Sequence, residues 1–165
     1  MANGKPTSSA ELYPKISTTL TGIAGEYFVA AELSRRGLIA CMTVRNTRGV
    51  DILVSNGALT RTVSIQVKTN QKFRKKWLFS EGAESLKHRN FFYVLVNLQT
   101  ESGLPDFHIV PSKVVAETIS KEHREWLAAK GRGGRTRNAT SVRVFRDLED
   151  RYKSKWKLFG FKGLE

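Results

Sequence analysis

The spacing of hydrophobic and polar residues changes several times along this chain, and each change marks an element. From Ser17 the period is helical: Gly22, Ile23, Val29, Ala30 and Leu33 share one stripe. Ser17, Thr18 and Thr19 offer N-cap oxygens, while Arg35 and Arg36 ahead of Gly37 suit a helix end, so the pattern predicts a helix from Ser17 to Arg36. Leu38 to Val44 reads as a strand. Arg45 to Gly49 is a polar turn, and Val50, Ile52, Leu53 and Val54 form a second apolar run that Ser55-Asn56-Gly57 closes. Then Val63, Ile65 and Val67 alternate with Ser64, Gln66 and Lys68, which puts Gln66 and Lys68 on the face opposite the apolar residues.

Further on, Phe91 to Leu98 is the most continuous apolar run and predicts a central strand buried on both faces. Phe107 to Val110 predicts an antiparallel partner ended by Pro111. Ser112 reads as the cap of a helix from Lys113 to Ala129, with Ser120 as its weak point, and Ser141 to Phe145 as a short strand. The expected architecture is α/β: a mixed central sheet flanked by helices. Residues 1–10 read as a disordered tail and 11–165 as a single domain.

Polar residues interrupt this pattern at four places. Asp51 sits inside an apolar run, Gln66 and Lys68 share a strand face, and Glu26 is the one charged residue on the stripe of the first helix. Burying such groups is costly unless they are paired or hold a metal. Two readings of Glu26 stand side by side. Either its stripe faces the core, or Tyr27, Phe28 and Ala31 do and Glu26 faces solvent.

Charge adds a partner. The 165 residues carry a formal net charge of +13, and a small domain this basic points to nucleic acid, although charge alone does not separate a nuclease from a packing or ribosomal protein. The cations cluster at Arg45 and Arg48, at Lys72, Arg74, Lys75 and Lys76, and at Arg132, Arg135 and Arg137 within a glycine-rich loop. Phe73 and Trp77 interleave the second cluster, as stacking platforms for bases or as anchors to the core. With Cys41 as the single cysteine, an internal disulfide is excluded and a reducing cytoplasm is the natural setting; its apolar neighbours suggest a buried thiol. His88, His108 and His123 are isolated and read as ordinary surface or core residues. No apolar run reaches the length of a membrane span.

The order helix with Glu26, strand with Asp51, strand with Gln66-Val67-Lys68 resembles the PD-(D/E)xK nuclease superfamily, with its restriction-endonuclease-like fold. The stretch Thr21 to Thr69, with G-I-A-G-E-Y-F-V-A-A-E-L-S-R-R-G, R-N-T-R-G-V-D-I-L-V and V-S-I-Q-V-K-T, is similar to archaeal Holliday-junction resolvases and to small bacterial members of that superfamily. The sequence departs from the pattern twice. Val50 stands where the name has proline, and Gln66 stands where it has an acid, a QxK form that some methylation-dependent restriction enzymes also carry.

The resemblance implies a metal-dependent endonuclease acting on duplex or branched DNA, with magnesium as cofactor and manganese able to substitute. In that reading Asp51 binds the metal directly, Gln66 through its side-chain oxygen and Val67 through its carbonyl. Glu26 reaches it directly or through water, and Lys68 positions the attacking water. The alternatives are a catalytically inactive DNA-binding module on the same fold, in which Lys68, Asp51 and Glu26 form a mere ion cluster, and a basic RNA-binding protein. Cutting both strands of a duplex needs two sites, which implies a homodimer. No small-molecule cofactor and no membrane partner are expected.

Overall fold

In chain order the elements are α1 (Thr18–Arg35), β1 (Leu38–Met42), β2 (Ile52–Asn56), β3 (Thr62–Asn70), β4 (Lys76–Ser80), β5 (Phe91–Asn97), β6 (Asp106–Pro111), α2 (Ser112–Ala128) and β7 (Val142–Arg146). They come from a computed structural model that describes residues 16–44, 49–72, 75–98 and 103–164. Arg45, Arg48, Phe73, Arg74 and the 1–10 tail lie outside the described residues, as does the side chain of Arg132. A five-stranded sheet runs β1-β2-β3-β5-β6, and β4 and β7 form a separate pair. β3 and β5 are parallel; the other neighbours are antiparallel.

α1 begins where the sequence placed it: the Ser17 hydroxyl oxygen accepts the Leu20 N–H at 3.2 Å. It ends at Gly37, whose φ of +77° any other residue would adopt at a cost. Its buried line is Thr21, Gly25, Val29 and Leu33, against Ile52, Val54, Ile65, Val94 and the C-terminal Trp156 and Phe159. Glu26 therefore lies at the margin of the packed face, half-buried, while Tyr27, Phe28 and Ala31 are exposed. The core-facing reading of the stripe holds, with its centre on Gly25.

β5 is buried along its whole length. Phe92, Val94 and Val96 face α1, whereas Phe91, Tyr93 and Leu95 face a second core with Trp77, Phe79, Val115, Ile119 and Phe145. α2 and the β4–β7 pair thus cover the face opposite α1.

Four expectations are corrected. α2 runs unbroken through Ser120, and its cap is Pro111; the Ser112 hydroxyl is drawn away instead, donating to the His88 carbonyl at 2.9 Å and accepting the His88 N–H at 3.0 Å. β4 was not legible, because its apolar Trp77 and Phe79 alternate inside a run that reads as a basic loop. Trp77 is an anchor, buried with its Nε1–H donated to the Val96 carbonyl at 3.1 Å. Cys41 is exposed, since β1 is an edge strand and Cys41 lies on the sheet face away from α1. His108, by contrast, is a core residue: its Nδ1 lies 2.7 Å from Asp147 Oδ2, and that carboxylate also accepts the Arg151 and Tyr152 N–H groups. No helix among the described residues is long and apolar enough to cross a membrane.

Candidate active site

The site grows out of a split in the sheet. β3 pairs with β5 as far as Asn70, but its ladder with β2 ends at Ile52 opposite Ile65. Beyond that point the β2-facing edge of β3 has lost its strand partner. Alternation along a strand sends the N–H and C=O of Val67 to the same side as those of Ile65, whose carbonyl accepts the Asp51 N–H at 2.8 Å. The Asp51 carboxylate fills the vacated position: its Oδ2 accepts the Val67 N–H at 2.7 Å. An acid at the start of β2 thereby stands in for a missing ladder bond, and it is held there because Thr43 donates its N–H to the Asp51 carbonyl at 3.0 Å.

Gln66 and Lys68 point away from α1, as their alternation with Val67 requires. The Gln66 amide lies beside the turn that leads into Asp51: a Cβ built on Gly49 would stand 4.0 Å from its Nε2. Lys68 is half-buried, with its ammonium 5.9 Å from the centre of the Phe79 ring. Glu26 comes from the opposite layer. Its neighbour Gly25 packs directly on Thr69: a Cβ there would stand 1.9 Å from Thr69 Oγ1.

Burial pushes the Asp51 carboxyl up from its ordinary value, against the Val67 N–H and the Lys68 ammonium, both of which pull it down. A raised folded value means that protonation favours the fold: this contribution is complete below the unfolded carboxyl value and is lost as pH rises through the folded one. At neutral pH the ionised carboxylate therefore opposes folding. Asp51→Asn, which keeps an oxygen for the Val67 N–H, is expected to raise Tm by a few degrees at pH 7, with the gain vanishing near pH 3. Calorimetry across that range checks it; a gain that persists at pH 3 contradicts it.

The donor set suits a hard divalent cation through oxygen: the Asp51 carboxylate, the Gln66 amide oxygen and the Val67 carbonyl. It is poor in charge, since no group of three or more His, Cys, Asp or Glu residues able to hold a metal occurs among the described residues. Of the basic residues, Lys72, Lys76 and Arg135 are exposed. Lys75 is engaged, its ammonium 2.6 Å from Asp150 Oδ2. The Arg137 guanidinium lies over the Trp126 ring, 5.0 Å from its centre, and donates to the Trp126 carbonyl at 2.9 Å.

This arrangement of sheet and helices is the restriction-endonuclease-like fold. The bacterial homing endonuclease I-Ssp6803I shares it over 89% of this chain and 95% of its own, with a TM-score of 0.51 and 13% sequence identity. The Holliday junction resolvase Hjc of Archaeoglobus fulgidus aligns over 76% of this chain and 84% of its own, with a TM-score of 0.46 and 14% identity. No protein-family model and no curated protein matches the sequence significantly.

Proposed function

We propose that the protein is a metal-dependent endonuclease that hydrolyses phosphodiester bonds in DNA. The observation that carries this reading is the Asp51–Val67 hydrogen bond at the split between β2 and β3, which ties the acid to the strand that bears Gln66 and Lys68. A solved structure of similar fold is, by name, a homing endonuclease, which supports the endonuclease reading.

Magnesium, or manganese in its place, would be held by Asp51, Gln66 and the Val67 carbonyl, with Glu26 reaching it directly or through water. When bound, the ion supplies charge neutralisation at the phosphate and a more acidic water. The chain's residues do the rest. Asp51 must lose its proton before it can take a cation, so metal affinity should rise with pH. Lys68, on the strand face beside Gln66, orients the attacking water and offsets charge as it develops on the phosphate. Lys72, Lys76 and Arg135, with Arg45, Arg48, Arg74 and Arg132, hold neighbouring phosphates. For duplex cleavage two chains would act together as a homodimer.

One observation favours a second reading. Gln66 brings no charge, which fits a binding module that has lost cleavage, as does the sparse acid content among the described residues. Nicking of supercoiled plasmid with magnesium or manganese, by native and Gln66→Glu proteins, separates the two. Native cleavage that Gln66→Glu retains supports the nuclease. Cleavage gained only in Gln66→Glu supports the inactive module, and silence from both overturns the nuclease reading.

A further inference from the structure

The C-terminal half of α2 does not lie flat on the β4–β7 pair. Between them is a cleft of about 330 Å³, whose wall is His123 and Trp126 and whose floor is Val142, Val144, Lys76 and Arg146. The floor is the outer surface of the pair: Lys76 stands opposite Arg146, and Trp77 and Phe79 point the other way into the core.

Three features of the cleft converge. Its wall is aromatic, with the His123 and Trp126 rings stacked, 5.6 Å between centres and 17° apart. His123 Nε2 is shielded from solvent and has no hydrogen-bond partner within the protein. The floor carries an unbalanced cation: Arg146 is paired with Glu122 at 2.5 Å, but Lys76 has no carboxylate partner among the described residues. A flat aromatic wall, a ring nitrogen without a partner in the protein and an unbalanced cation match a nucleobase with a flanking phosphate.

Resting on DNA as the partner proposed above, we infer that this cleft takes an unpaired nucleobase of a DNA single strand. Trp126 and His123 give the base aromatic surface, and Lys76 meets a phosphate beside it. The favoured substrate is then a DNA with a junction, flap or gap, rather than a fully paired duplex.

Fluorescence offers a direct test, because Trp77 and Trp156 are 2% and 1% exposed whereas Trp126 is 40% exposed. Without divalent metal, the wild-type protein is titrated with a blunt duplex and with the same duplex carrying a tail of ten thymidines. The tail should strengthen binding about tenfold, the scale of one stacked base, and quench the tryptophan emission. Trp126→Ala should abolish both effects; Trp126→Phe should keep the affinity gain and lose the quench; His123→Ala should reduce the gain. A tail that neither strengthens binding nor quenches the wild type overturns the inference, as does a full gain in both alanine variants. If Trp126→Ala fails to fold, the wild-type quench and Trp126→Phe still decide it. Plasmid nicking with no tail effect refutes the cleft alone, and a tail effect without nicking refutes the nuclease alone.

Discussion

Asp51→Ala and Lys68→Ala proteins are expected to lose magnesium-dependent cleavage by roughly a thousandfold while still binding DNA. The magnitude follows from removing a metal ligand or a charge aimed at the reacting phosphate. Binding should survive because the phosphates are held elsewhere, by cations such as Lys72, Lys76 and Arg135. Its salt dependence should be unchanged, at about −0.9 in the log–log slope for each phosphate neutralised. Asp51→Ala should bind metal-free DNA at least as tightly as the native chain, since it removes a negative charge from the substrate's path. It also leaves the Val67 N–H without its acceptor, whereas Asp51→Asn keeps one, so the two variants should match in cleavage and differ in stability. Plasmid nicking beside gel-shift titrations at several salt concentrations checks this, and full cleavage by Asp51→Ala would sink the assignment of the site.

The second large effect lies in packing. Gly25→Ala would put a methyl group 1.9 Å from Thr69 Oγ1 and 2.9 Å from both Thr69 Cβ and Cγ2, so rotating Thr69 cannot clear it and α1 must lift from β3. Overpacking of this kind costs about 1–3 kcal/mol, which in a chain of this length lowers Tm by roughly 2–12 °C. Because Glu26 rides on the same turn, cleavage should fall as well, at temperatures where the variant is still folded. Adding Thr69→Ala removes the two atoms that rotate and should recover part of the stability. Thermal unfolding of the single and double variants is the measurement; a Gly25→Ala protein as stable as the native one contradicts the close approach.

Strand β3 was legible because its alternation is strict, and β2 and β5 because they are apolar runs; the odd polar residues of β2 and β3 stand out against those patterns. Asp51, Gln66 and Lys68 were visible for that reason, and the structure adds how Asp51 is held: by a backbone N–H whose ladder partner has gone. Gly25 was not legible as the contact point, since a glycine on an apolar stripe carries no sign of what approaches it. The charge of Glu26 drew the eye to its neighbour instead. β4 was hidden for a different reason. Its alternation spans five residues, it begins with a lysine, and its partner β7 is far along the chain. Cys41 misled because a sequence shows an apolar neighbourhood but not which face of an edge strand is left uncovered.

The pairing of Lys76 with Arg146 also sets an order of assembly. During synthesis β1, β2 and β3 can join as soon as they emerge, each beside its neighbour in the chain, and Asp51 can meet Val67 then. The crossover from β3 to β5 passes through β4, which has to wait for β7, after α2 is complete. The candidate active-site edge and the layer that carries the Trp126 cleft are thus separated in time, and a nascent chain stalled before β7 would hold the first without the second.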